Sequence, residues 1–287
     1  MKKILFAFAL LSFQGYSQEF QGMAVYESKT SIGDFKGRMV NRPEITPEMQ
    51  KSIEERVKKA MEKTFVLNFD KTSSIYKEEE KLDAPGQQNA GLRMMNSMMG
   101  TGGTFYKNVK EKQITVDKEF LGKEFLIKDS LPAYQWKMEG ETKQIGGYTC
   151  YKATAVKPAS KSDFRNFRPK KEEEKTTSEK STNFMDQIEM PKEIEITAWY
   201  APEIPVNQGP ENYWGLPGLI LEISDGKTVI LCSKVVLNPK QKAEIKAPTK
   251  GKVVSQKEFD AIVVEKMEEM RQNFQNGRQT PRVRIGN

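Results

Sequence analysis

Apolar and polar positions alternate with period two along most of the chain, and only two stretches change to a helical period. Gly22 to Thr30 carries Met23, Val25 and Ser28 around Tyr26 and predicts a first strand. Thr46 then offers an N-cap with Pro47 in the first turn. Met49, Ile53, Val57 and Ala60 follow at three- and four-residue spacing, which predicts a helix in the N-terminal half. Phe65 to Phe69 returns to period two, and Thr72 to Leu82 is expected to pair with it across Asp70 and Lys71. Short strand patterns continue at Thr104 to Tyr106, Gln113 to Val116, Glu124 to Lys128 and Gln135 to Met138. A longer strand is expected from Lys143 to Val156, with Gly146 and Gly147 marking a bulge or bend within it.

Glu193 to Tyr200 alternates cleanly, with Ile194, Ile196, Ala198 and Tyr200 on one face and Glu195, Thr197 and Trp199 on the other. Gly218 to Ser224 and Lys227 to Leu237 read as a hairpin around Asp225 and Gly226. Near the C-terminus, Ser255 and Glu258 have capping-box spacing. Phe259, Ile262, Val263, Met267, Met270 and Phe274 give the helix behind them one apolar face. About ten strands on short connections indicate an antiparallel meander. The fold expected is mainly β with flanking helices: one curved, half-barrel-like antiparallel sheet with a helix in the N-terminal half and another at the C-terminus.

Three segments break the pattern. Residues 91–103 form a Met- and Gly-rich loop, residues 157–180 a charged insertion nearly free of aliphatics, and residues 277–287 a basic tail. The insertion cannot bury enough apolar surface to offset the entropy of ordering, so disorder is expected there. The first 17 residues run Lys2, Lys3, an apolar stretch from Ile4 to Phe13, then Gly15 and Ser17, the order of a cleavable signal peptide. Export to the periplasm, the cell envelope or the medium is therefore expected, with residues 18–276 forming one domain. The apolar stretch is shorter than the roughly 20 residues that span a bilayer, and no later stretch is as apolar.

Composition narrows the chemistry. The formal charge is +7, or +5 once Lys2 and Lys3 leave with the leader, and bases and acids are interspersed. That is a solvated surface rather than a nucleic-acid footprint. The chain has no histidine, which removes Ser-His-Asp and Cys-His catalysis and imidazole metal sites. No catalytic residue, cofactor site or metal site is assigned. Cys150 and Cys232 are too far apart in sequence for a redox motif, and either pair in a disulfide or bury separately as small apolar groups.

One segment stands out for rigidity. From Trp199 to Ile223 the chain reads WYAPEIPVNQGPENYWGLPGLILEI. A strand stops at Pro202, a Pro- and Gly-rich loop follows, and a second strand begins at Gly218. The candidate site residues are Tyr200, Gly209, Pro210, Tyr213, Trp214, Gly215, Leu216, Pro217, Gly218, Leu219 and Ile220. Two readings apply: a buried loop closing one end of the core, or a preformed aromatic lip for binding.

The segment resembles the GLPGLI family of exported Bacteroidetes proteins, through Gly215 to Ile220 itself. A second block from Gly122 to Ala155, with Trp136, Gly147, Tyr148 and Cys150, is similar to the family's other conserved stretch. The resemblance implies an envelope protein often encoded beside TonB-dependent outer-membrane transporters, and it brings no catalytic set. The function expected is a non-enzymatic binding or accessory protein for an apolar ligand or an outer-membrane transport partner. Two alternatives compete with it. Met94, Met95, Met98 and Met99 offer thioethers for a soft metal such as Cu(I). Glu195, Glu203, Glu211 and Glu222 surround the motif and are the candidates for a carboxylate-based hydrolase.

Overall fold

The computed structural model describes residues 20–31, 46–79, 102–163, 168–169, 188–189 and 191–278. The leader, the four loop methionines, most of the charged insertion and the final residues lie outside these.

The strands are β1 (Gly22–Thr30), β2 (Glu62–Phe69), β3 (Ser73–Glu78), β4 (Thr104–Asn108), β5 (Gln113–Phe120), β6 (Lys123–Ser130) and β7 (Lys137–Ile145). They continue with β8 (Tyr148–Pro158), β9 (Arg168–Pro169), β10 (Ile188–Glu189), β11 (Glu193–Ala201), β12 (Leu219–Ser224), β13 (Thr228–Leu237) and β14 (Lys252–Val254). The helices are α1 (Pro47–Met61) and α2 (Gln256–Arg278). Among the described residues the architecture is the expected one: one open, curled sheet of 12 strands, mostly antiparallel, with one helix in each half of the chain, while β9 and β10 pair as a separate two-stranded sheet.

The order across the sheet is β14-β6-β5-β4-β3-β2-β1-β13-β12-β11-β8-β7. Two meanders are thus joined back to back, β1 to β6 on one side and β7, β8 and β11 to β13 on the other. The seam is β1 against β13, where Gly22 faces Leu237 and Thr30 faces Thr228. Between the meanders the chain passes from β6, near one edge, to β7 at the other. Only residues 131–136 make that passage, and they become important for the site below.

Local chemistry explains the element ends. Thr46 caps α1, its Oγ1 accepting from the Met49 amide at 3.3 Å. Ser255 and Glu258 close a reciprocal capping box at α2: the Ser255 amide donates to Glu258 Oε2 at 2.7 Å and the Glu258 amide to Ser255 Oγ at 3.2 Å. The turn at Asp225 and Gly226 is held by Asp225 Oδ1, which accepts from the Thr228 amide at 2.7 Å.

Three expectations are corrected. The run from Lys143 to Val156 is two strands, because Gly146 (φ 55°) and Gly147 (φ 87°) both enter the left-handed region and make a tight hairpin between β7 and β8. β14, absent from the pattern reading, adds to the edge of β6 in parallel, with Val253 opposite Leu126. The C-terminal helix also continues through Gly277 to Arg278, just past the boundary expected for the tail.

The sheet is covered differently on its two sides. One core gathers inward residues of β1, β2, β3, β8, β11, β12 and β13, among them Tyr26, Leu67, Tyr76, Ile196 and Ile230. Its remaining volume is filled by Ile204, Val206, Tyr213 and Leu216 from the loop between β11 and β12. The other core lies under α2, where Phe259, Val263 and Met267 meet Val116, Phe120, Phe125, Ile127 and Val254. Phe105 touches both.

Candidate functional site

The loop that joins β11 to β12, residues 202–218, turns inward. Ile204, Val206, Gln208, Tyr213 and Leu216 are all buried, while Pro202, Pro205, Gly215 and Pro217 face outward. Its neck is ladder-like: the Leu219 amide donates to Ile204 O at 3.0 Å and the Ile220 amide to Gln208 O at 3.0 Å. Its tip, from Gly209 to Gly215, is closed by an internal bond from the Tyr213 amide to Pro210 O at 3.0 Å.

A loop carried into a core brings backbone carbonyls that need donors, since an unmet buried acceptor costs about 1–3 kcal/mol. Side chains from other elements supply them. Just past the loop, on β12, Ile220 O accepts from Tyr26 OH on β1 at 2.7 Å. Trp136 Nε1 donates to Trp214 O at 2.9 Å, and Trp214 Nε1 returns a bond to Pro132 O at 2.7 Å. This reciprocal pair ties the loop to the 131–136 passage. Tyr134 strengthens it, its OH donating to Asn212 Oδ1 at 3.1 Å and its ring lying 5.5 Å from that of Tyr213.

The deepest donor is Lys107 on β4. Its ammonium is 0% exposed and donates to the carbonyls of Gly209 and Tyr213, the latter at 2.9 Å. Burial pulls its pKa from 10.5 down to about 7, opposed by the nearby Glu211 carboxylate. Ser74 Oγ donates to Gln208 Oε1 at 2.8 Å beside it. On the far side Lys157 Nζ donates to Tyr213 OH at 2.6 Å.

The motif residues therefore fall into distinct places. Gly209, Pro210, Tyr213, Leu216, Gly218, Leu219 and Ile220 are buried, Trp214 is half-buried, and Gly215 and Pro217 are exposed. Tyr200, one residue before the end of β11, lies inside the core with its ring 6.2 Å from that of Tyr151. Gly218 is fixed by space: a Cβ there would lie 2.4 Å from Ala201 O. Gly215 is fixed by conformation, with φ at 94°.

The carboxylates are dispersed among structural roles. Glu222 pairs with Lys143 at 2.7 Å, and Glu203 Oε1 accepts from the Thr149 amide at 3.1 Å. Glu195 lies exposed on β11, and Glu211 occupies the left-handed region at φ 45°. Both cysteines are buried thiols on strands separated by β11 and β12. Burial raises Cys150 to about 11 and Cys232 to about 12, so neither is a thiolate near neutrality. Among the described residues no group of three His, Cys, Asp or Glu is placed to hold a metal ion, and no helix is long and apolar enough to cross a membrane.

Pattern reading identified the loop but missed Lys107. A lysine flanked by Tyr106 and Asn108 looks like an exposed strand position, and nothing local marks it as buried. The one available signal is parity: Phe105, Lys107 and Val109 share one face of the strand, and Phe105 is apolar.

Fold and site together describe a curled sheet plugged by its own motif loop. Residues 136–222 match the model of a family described as a protein of unknown function, Porph_ging. No curated protein matches the chain. Two solved structures of PNGF-II, in space groups C2 and P21, align over 88% and 86% of it at 13% and 14% identity and a TM-score of 0.43. The chain spans about a third of their length, 33% in each case.

Proposed function

We propose that this is a GLPGLI-family protein, exported to the envelope, that works by binding a partner protein and has no catalytic centre of its own. The family reading is supported by a match that contains both Trp136 and the Gly215 to Ile220 motif. The observation that carries the mode of action is the outer face of the sheet. Leu231 stands opposite Glu222, and Glu222 opposite Trp199, so one row crosses β13, β12 and β11. Val229 and, through its partner Glu195, Val156 lie on the same face. Val156, Val229 and Leu231 are 54%, 41% and 39% exposed. Charges lie among them: Glu222, between Leu231 and Trp199, pairs with Lys143, which stands 4.3 Å above the Trp199 ring. Lys152 pairs with Glu139 and Glu141 nearby. Exposed apolar side chains interspersed with paired charges make a mixed surface of the kind that protein interfaces use.

An internal apolar ligand is the weaker version, because loop side chains already fill the curl. A photocrosslinker placed at Leu231 in the exported protein tests the reading. A discrete adduct with an envelope protein, absent when Val229 and Val156 are both changed to Asp with the melting temperature kept, is the expected result. Lipid recovered in stoichiometric amount by solvent extraction, with no protein adduct, refutes it.

A further inference from the structure

We propose that residues 209–215 form a lid whose opening moves Lys107 from a fully buried seat into water and is therefore favoured by protons. This inference is independent of the partner-binding proposal. It begins with a contrast inside the loop. The neck is held by backbone bonds between Ile204 and Leu219 and between Gln208 and Ile220, and by buried aliphatic side chains. The tip is held mainly by side chains that reach in from elsewhere: Lys107, Tyr134, Trp136 and Lys157. Its own buried side chains are Pro210 and Tyr213, and Glu211, Asn212 and Trp214 are half-buried. One backbone bond, from the Gly215 amide to Asn207 O at 3.2 Å, joins tip to neck. The tip can lift while the neck stays paired.

Beneath the tip lie groups that water would stabilise. Lys107 is opposed by Ser74 on β3 and Ile114 on β5, both uncharged. The loop brings the Gly209 and Tyr213 carbonyls and the Glu211 carboxylate to it, and Glu211 is the charge that favours its ammonium. Gln208 is also fully buried, and its Nε2 has no hydrogen-bond partner among the described residues. An open lid hydrates both.

The sign follows from linkage. In the closed state Lys107 loses its proton near pH 7, whereas a hydrated lysine keeps it to about 10.5. Between those values the open state binds a proton that the closed state does not. The opening constant therefore falls about tenfold per pH unit as pH rises, and is constant below about 7.

Hydrogen–deuterium exchange of the full chain between about pH 6 and 10, corrected for the intrinsic pH dependence of exchange, measures this directly. Peptides covering residues 209–215 should gain protection about tenfold per unit above neutrality, with smaller changes in β1 and β12. Lys107→Met should flatten the lid profile. Glu211→Gln removes the charge that favours the ammonium and should move the onset to lower pH. A flat wild-type profile overturns the proposal. So does a slope kept in Lys107→Met, or a lid that moves only in step with β1 and β12. If Lys107→Met does not fold, the Glu211→Gln shift decides alone, and an unmoved onset overturns the proposal.

Discussion

The two cores of this protein are closed by different kinds of cover, and the difference explains where the polar chemistry lies. α2 covers β5, β6 and β14 with Phe259, Val263 and Met267, and its backbone groups bond within the helix. That cover asks only for an apolar stripe. The 202–218 loop covers β1 to β3, β8 and β11 to β13 without a helix to satisfy its carbonyls. Lys107 and Trp136 must aim donors at them, and Tyr26 does the same for Ile220 just past the loop. A loop cover therefore needs distant partners, and a helix cover does not.

The sharpest way to break this comparison is at the loop. Tyr213→Ala removes a side chain 2% exposed together with its stacking on Tyr134, and should destabilise by about 3–5 kcal/mol. Gly218→Val drives a Cβ against the Ala201 carbonyl and should cost about 3 kcal/mol, the upper end for overpacking, because backbone cannot swing aside. Urea denaturation measures both. Wild-type midpoints in either variant would mean that the loop is not the scaffold of its core.

Under the helix, Met267→Ala should cost about 2 kcal/mol, at the low end for a buried methionine, since Met267 is 7% exposed and less buried than Phe259 and Val263. The same variant should leave the indole environment of Trp136 and Trp214 unchanged in fluorescence. A shift there would show that the two cores are one cooperative layer, coupled through Phe105.

pH separates the cores next. Lys107 has a folded-state pKa lowered to about 7 against 10.5 when unfolded. Below about 7 both states hold the proton and this group contributes no slope. From about 7 to 10.5 only the unfolded chain holds it, so stability should rise with pH, by at most about 1.4 kcal/mol per unit. Lys107→Met should remove that rise, as read by chemical denaturation at several pH values. A wild-type curve that falls across the window would contradict the burial of this ammonium.

The same contrast shows what could be read from the sequence. Helix α2, its capping box and the Asp225 turn were legible because each is encoded within a few neighbouring residues. The motif loop was legible as rigid, through its glycines and prolines, but the direction it folds was not. That depends on Lys107, about 100 residues upstream, on Trp136, which reads as part of a strand from Gln135 to Met138, and on Tyr134 just before it. Gly146 and Gly147 read as a bulge or bend within one strand because a bulge and a two-residue hairpin turn both favour paired glycines. Only the strand register separates them. β14 is three residues long and paired in parallel, too short to show a period.

The smallest expected effect tests the claim that the helix cover is locally encoded. In Ser255→Ala, the Glu258 amide loses its Oγ acceptor, and Glu258 loses one of the two donors that Ser255 gives it. The Ser255 amide bond to Glu258 Oε2 survives, so half of the box remains. The cost should be about 1 kcal/mol, and it should appear in hydrogen exchange at the first turn of α2 before it appears anywhere in the loop-plugged core. Glu258 adds a pH signature. Backbone and side-chain hydrogen bonds from Ser255 hold its carboxyl below the usual value of 4.5, so the box is intact above that value and weakens as pH falls through the lowered one. Acidification in that range should fray α2 in the wild type and have less further effect in Ser255→Ala, as read by exchange at residues 256–260. If the loop tip loses protection at the same pH and to the same extent, the helix cover is not independent, and the division of this sheet into a locally encoded half and a remotely encoded half is wrong.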